Sequence, residues 1–176
     1  MEEKRLTKDE YYLSIAEAVS KRSTCLRRRF GAIVVVNDAI VATGYNGPAR
    51  GSINCHEVGC LKDLVNAPHY GRYDLCPAVH AEENAIINAA RHGISVLGGT
   101  LYIVGKTPSG EITESIPCDR CKRVLINAGI KRVITKDEKG NIIIYEVEKW
   151  KRYDREEYIK KINEVKNRDK SKENQN

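Results

Sequence analysis

Four residues are of types, and at spacings, that could hold a metal and move protons. His80 and Glu82 open the apolar-patterned segment "VHAEENAIINAARHG", and Cys118 and Cys121 open "PCDRCKRVLINAG". A Cys-x-x-Cys pair in a first helical turn places both sulfurs on one side, where backbone N–H groups and the helix dipole favour thiolates. One imidazole and two thiolates make three protein ligands. A structural zinc would be closed by a fourth, whereas a catalytic zinc leaves that place to water. Glu82, two residues from His80, can hydrogen-bond such a water without binding the metal. Each piece alone is weak. Cys-x-x-Cys also serves as a redox pair or half a zinc ribbon, and helix starts attract Glu anyway. The combination, with a strand between the two helices, is far more specific. Glu83, one step round the helix, reads as a solvated or capping charge.

These residues must be positioned by the elements around them. Thr7 and Glu10 have the spacing of a capping box, and Tyr12, Ile15, Ala16 and Val19 follow at helical intervals, so a first helix is predicted from about Lys8 to Ser23. "AIVVV" and "AIVATG", joined by Asn37-Asp38, predict a β-hairpin. Tyr45 to Pro77 is long and rich in Gly, Pro, Asn and Cys, with a short helical piece near Leu61 to Val65. An ordered loop of that length is usually functional. A second helix is predicted from about Val79 to His92, stopped by Gly93. "TLYIV" is a strand, "GKTPSGEITESI" a polar excursion, and a third helix follows Pro117 and ends at Gly129. "KRVIT" and "IIIYEV" are strands about the turn "KDEKGN". Asp154 to Lys166 is an amphipathic helix with Tyr158, Ile159 and Ile162 on one side. The division expected is a domain over 1–166 and a disordered charged tail over 167–176.

The totals bound the rest. A chain of 176 residues builds one α/β domain with a proper core, and no apolar run approaches the roughly 20 residues of a membrane span. The first ten residues carry no apolar signal core, so a cytoplasmic location is expected. The net charge of +6 suits anionic partners, a nucleotide phosphate as readily as a nucleic acid. Six cysteines in a reducing compartment favour metal binding or catalysis over disulfides.

With its elements placed, the chain resembles the cytidine and deoxycytidylate deaminase superfamily, most closely its deoxycytidylate branch. The resemblance covers Tyr11 to Thr135. It rests on "STCLRRRFGAIVV", "ATGYNGPARG", "NCHEVGC", "VHAEENAI" and "PCDRCKRVLINAGIKRV", in the family's order. His-x-Glu with Pro-Cys-x-x-Cys is the mark of zinc-dependent nucleobase deaminases. The resemblance implies a three-layer α/β/α sandwich around a five-stranded mixed sheet. It implies a catalytic Zn2+ on His80, Cys118 and Cys121, and Glu82 as the proton carrier. The implied reaction is hydrolytic deamination of a cytosine nucleotide, dCMP to dUMP. It further implies a small-molecule nucleotide partner and a homo-oligomer. The same chemistry on a polynucleotide, and a non-catalytic zinc-stabilised binding protein, are the competing readings. The first lacks an aromatic-studded basic surface for stacking bases, and the second leaves Glu82 without purpose.

Further site residues follow from the resemblance. Asn46 would meet the sugar, although Asn46-Gly47-Pro48 also reads as a plain turn. The backbone N–H of Ala81 would meet the pyrimidine carbonyl. "CLRRRFG" offers guanidinium groups for a phosphate. Strand alternation forbids all three from pointing one way, and Arg27 or Arg29 is the expected contact. Cys25, Cys55 and Cys76, with Cys60 as a fourth, look like ligands of a second, structural zinc; buried free thiols are the plainer alternative. After Thr135 the resemblance fades. "KTPSGEITES" is an extended excursion near the presumed mouth, and Tyr145 or Tyr153 could either close over a base or pack.

Overall fold

Alternation along one strand sorts the whole molecule into layers. In β1 (Arg29–Val36), Ile33 and Val35 face one way and Ala32 and Val34 the other, and all four are buried. The computed structural model describes residues 5–173. On the first face lies α1 (Lys8–Ser20), whose Tyr12, Leu13 and Ala16 pack against Ile33, Val35 and three further strand residues, Tyr102, Val104 and Ile134. Its start is the expected capping box: Glu10 N–H donates to Thr7 Oγ1 at 3.2 Å, and Thr7 N–H donates to Glu10 Oε2 at 2.7 Å. The helix stops at Ser20, three residues short of expectation. Gly31 permits the close approach, since a Cβ there would lie 2.2 Å from Ala16 O.

β2 (Ala39–Tyr45) returns from β1 through Asn37 and Asp38, with φ of 48° and 64°. Two successive positive φ values suit a tight hairpin turn. The sheet order is β2-β1-β5-β7-β8, with β5 at Thr100–Lys106, β7 at Arg132–Lys136 and β8 at Ile142–Glu146. Only β5 and β7 run parallel; the other neighbours on this path are antiparallel. This is the mixed five-stranded sheet of the sequence reading, with one addition. The polar excursion after β5 folds back as β6 (Ile112–Thr113) and pairs with the end of β5 as a sixth strand.

The long segment between β2 and the second core helix is more ordered than its composition suggests. It contains β3 (Gly47–Pro48), α2 (Cys55–Val58), α3 (Leu61–Leu64), a 3-10 turn over Tyr73–Leu75, and β4 (Ala78–Val79). β3 pairs with β4 and closes the excursion at its base.

The opposite sheet face is covered by α4 (Ala81–Arg91) and α5 (Asp119–Asn127). Ala81, Ala85 and Ala89 of α4 and Leu125 of α5 meet Ala32, Val34, Leu101, Ile103 and Val133. The alanine face lets α4 sit close, and Gly44 completes the fit: a Cβ there would lie 2.3 Å from Ala85 N and 2.4 Å from Ala81 O. Asn84 and Asn88 fasten α4 to β2 by donating to Tyr45 O at 2.8 Å and Thr43 O at 2.6 Å.

The last helix departs most from expectation. α6 spans Val147–Glu173, longer at both ends than Asp154 to Lys166, and it runs through much of the segment 167–176 expected to be a disordered tail. Residues 174–176 of that tail lie outside the described residues. Val147 is buried, and Trp150 packs on the core beside Tyr145, with ring centroids 6.0 Å apart. A lone Val and Trp among charged residues give too little periodicity to reveal those first turns. No helix among the described residues is long and apolar enough to cross a membrane.

Candidate active site

Both metal-capable helix starts arrive at one end of the sheet, on the α4/α5 face. His80 is the N-cap of α4 and Cys118 the N-cap of α5, each with extended backbone. Orphan N–H groups of two first turns therefore converge there. Sulfur atoms of Cys118 and Cys121 lie 3.6 and 3.3 Å from His80 Nδ1. A tetrahedral zinc with bonds of about 2.3 Å to sulfur and 2.05 Å to nitrogen separates such ligands by roughly 3.5 Å. The donor set and its spacing therefore fit a zinc ion. Among the described residues this is the only group of His, Cys, Asp or Glu, three or more in number, whose ligand atoms all lie within 4.8 Å of one another. A hydrogen bond with Cys121 holds the Cys118 thiol well below the usual range and keeps the proton on Cys121. Metal binding displaces such a proton.

Glu82 sits in the first turn of α4, only 5% exposed, and burial pushes its carboxyl up from the usual range. Glu83 takes the capping half of its expected role and adds an ion pair to it. It accepts from His80 N–H at 3.2 Å and from Arg120 Nη2 at 2.6 Å, joining the start of α4 to that of α5. The spacing His80-x-x-Glu83 is that of a capping box, a signal available in the sequence.

The site opens into a cavity of about 110 Å³, lined by His80, Ala81, Glu82 and Cys118 on the metal side. Asn46, Arg27, Arg28, Lys62, His69 and Tyr73 line the rest with others. Asn46 is buried and largely committed: its Oδ1 accepts from Ser23 Oγ at 2.7 Å and Phe30 N–H at 2.8 Å, and its Nδ2 donates to Arg28 O at 2.9 Å. One amide hydrogen is left for a ligand. Ala81 stands at the first position of α4, where its N–H has no helical partner.

The arginines sort differently from expectation. Arg27 and Arg28 line the cavity and Arg29 does not. Alternation gives the reason: Phe30, Ala32 and Val34 face α4, so Arg29 shares the α1 side with Gly31 and Ile33. Arg27 pairs with Asp63 at 3.1 Å and donates to Ala67 O at 3.3 Å, while its Nη1 is buried with no hydrogen-bond partner. Lys62, also buried, was not singled out in the sequence. Its Nζ donates to His69 O at 2.9 Å and Gly71 O at 2.8 Å. His69 registers the surrounding charge: burial, Arg28, Arg27 and Lys62 together push its imidazole down to about 4.

Cys25, Cys55, Cys60 and Cys76 do not join the catalytic set and do not reach its close ligand spacing. They line an adjoining cavity of about 370 Å³. Burial and the negative potentials of Cys25, Cys60 and Cys76 raise the Cys55 thiol. Tyr145 and Tyr153 line neither cavity; Tyr145 packs on the core, and Tyr153 borders a groove between α5 and α6.

An α/β/α sandwich carrying an imidazole, two cysteines and a buried carboxylate at two joined helix starts defines a protein built round a metal-binding centre. More narrowly, the chain belongs to the family described as the cytidine and deoxycytidylate deaminase zinc-binding region, which residues 6–136 match. It is 34% identical over 126 residues to the deoxycytidylate deaminase of Schizosaccharomyces pombe, covering 72% of this chain and 36% of that relative. It is 36% identical over 135 residues to the deoxycytidylate deaminase of Mycobacterium phage D29, covering 74% and 94%. Among solved structures, the dCMP deaminase of cyanophage S-TIM5 in complex with dCMP and dUMP shares 31% identity, covers 77% of this chain and 85% of its own, and superposes with a TM-score of 0.58. The chain thus spans little more than a third of the S. pombe relative and nearly all of the phage D29 one.

Proposed function

We propose that the chain deaminates a cytosine nucleotide by zinc-dependent hydrolysis, converting dCMP to dUMP and ammonia. One observation carries the reading: Glu82, buried and unneeded as a ligand, lines one cavity with His80 and Cys118, two of the three residues that with Cys121 could hold a metal. A bound zinc would supply a hydroxide-like nucleophile near neutral pH. Glu82 would take one proton from the attacking water and deliver it to ring N3, then take the second from the new C4 hydroxyl and deliver it to the C4 amine, which leaves as ammonia as the C4 carbonyl forms. The raised carboxyl suits both directions of transfer. Asn46 and the Ala81 N–H orient sugar and pyrimidine carbonyl.

The far end of the cavity favours a phosphate. Arg27, Arg28 and Lys62 gather round a histidine kept neutral by burial and by their charge, and a buried guanidinium nitrogen lacks a partner. Arg28 replaces Arg29 as the proposed contact, and Arg27 is retained. The complex of the cyanophage protein with dCMP and dUMP supports the same substrate class. The test is ammonia release from purified protein given cytidine, its mono- and triphosphates, their deoxy forms, and a cytosine-containing oligonucleotide. The expected result is a marked preference for dCMP. Equal use of the unphosphorylated nucleoside would overturn the phosphate site, and action on the oligonucleotide alone would overturn the free-nucleotide reading.

A second, structural zinc on Cys25, Cys55, Cys60 and Cys76 remains part of the proposal, supported by their shared cavity. Two zinc ions per chain in freshly purified protein are expected; one ion would refute it. A homo-oligomer is proposed too, supported by the exposed Ile53, Val58, Leu64 and Val65 of the excursion, and sedimentation velocity would decide it.

A further inference from the structure

One aromatic residue of the excursion reaches the metal-ligand set, and the deaminase reading gives it no task. Gly71 and Arg72 take φ of 73° and 45°, a left-handed pair that turns the chain sharply before Tyr73. Lys62 Nζ grips this turn through the carbonyls of His69 and Gly71. Tyr73 is thereby set among three groups. Its ring lies edge-on to His80, centroids 5.4 Å apart at 66°. The Arg120 guanidinium sits over its face, 5.2 Å from the centroid. Its hydroxyl comes within reach of the Cys118 sulfur. Arg120 in turn holds Glu83, which holds the His80 backbone.

We propose that Tyr73 is a positioning residue that latches the excursion onto the metal centre, fixing Cys118 by a hydrogen bond to its sulfur and His80 by ring contact. A thiolate ligand that accepts a hydrogen bond is oriented, and part of its charge is drawn off. Groups of this kind typically change metal affinity or activity about 10–100-fold when removed. The latch also couples two functions. The turn that carries Tyr73 carries His69 and Tyr70 of the cavity wall as well, so closing the wall and ordering the ligands become one event. The inference rests on the site being a zinc centre, but not on the identity of the substrate.

The test uses zinc-loaded protein without nucleotide. Zinc loss to an excess of a chromogenic chelator is timed for wild type, Tyr73→Phe and Arg120→Gln. Tyr73→Phe keeps the ring and removes only the hydroxyl, so folding is preserved. About tenfold faster zinc release is expected, with Arg120→Gln intermediate. In the cobalt-substituted protein, Tyr73→Phe should shift the thiolate-to-cobalt charge-transfer band, which a merely structural role would leave unmoved. Wild-type release and an unmoved band in Tyr73→Phe would overturn the proposal, as would a wild-type chain that holds no zinc. A wild-type chain that holds zinc but deaminates nothing would sink the deaminase reading while leaving the release comparison decisive.

Discussion

At the scale of the residue, the proposed chemistry assigns holding and proton transfer to different groups. His80, Cys118 and Cys121 have ligand atoms within bonding distance of a common point, and Glu82 stands beside them without entering the set. Removing the carboxylate and removing a ligand should therefore have different signatures. Glu82→Gln keeps the shape of the side chain and is expected to retain zinc by elemental analysis while losing turnover by about 10²–10⁴-fold or more. Cys118→Ala should lose zinc and turnover together. That His80, Cys118 and Cys121 come together was legible from the pairing of two motifs at helix starts and from the family resemblance they carry, not from either motif alone. Lys62 and Tyr73 were not legible. Each acts through a turn whose shape depends on carbonyl contacts and left-handed backbone, and no periodicity records that. Arg28 lay between: alternation restricts the three arginines, but its phase is fixed only once Phe30 is known to face α4.

At the scale of the element, two contacts decide where α4 lies. Gly44 sets its distance from β2, and the alanine face sets its height above the sheet. The groups a Gly44 side chain would meet are backbone atoms of α4, which cannot rotate away. Gly44→Ala should destabilise the protein by about 1–3 kcal/mol, read by urea unfolding. It should also lower zinc content, because the His80 end of the helix moves with it. The excursion carries its own prediction through His69. Neutral in the folded protein down to about pH 4, this residue takes up a proton near pH 6.5 once unfolded. Between those values the unfolded chain binds more protons, so stability falls as pH falls through the window. In His69→Gln that contribution disappears, and its thermal midpoint should fall less between pH 7 and pH 5 than the wild-type midpoint does. The hairpin, β5 and the ends of α4 and α5 could be read from sequence because their apolar patterns are clean. β6 and the first turns of α6 escaped because two-residue pairing and a Val–Trp foothold depend on what lies across from them.

At the scale of the whole molecule, the metal centre is also a fastening. It joins α4 to α5, whose sequence positions are separated by β5 and β6. A ligand that binds only the folded chain stabilises it by mass action, about 2.7 kcal/mol at a hundred times its dissociation constant. Stripping zinc with a chelator should therefore lower the thermal midpoint by roughly 5–10 °C for a chain of this size. Calorimetry should show the loss reversed in proportion to added zinc. An unchanged midpoint would mean that the helix starts hold together without it.

The short ladder in which Gly47 and Pro48 pair with Val79 and Ala78 has a meaning for how such a protein can diversify. It makes residues 49–77 a detachable cassette whose two ends already meet. The entropy of closing a loop grows only slowly with its length, about 0.6 kcal/mol for each doubling. A longer or shorter cassette could be spliced onto the same stem at little thermodynamic penalty, leaving β2, α4 and the proton carrier undisturbed. Selectivity for what enters the cavity can then drift by exchange of this one segment. The exchange is constrained by what the segment brings to the two cavities: whatever replaces it must again supply a cation where Lys62 stands, the Cys55, Cys60 and Cys76 thiols, and an aromatic ring against His80.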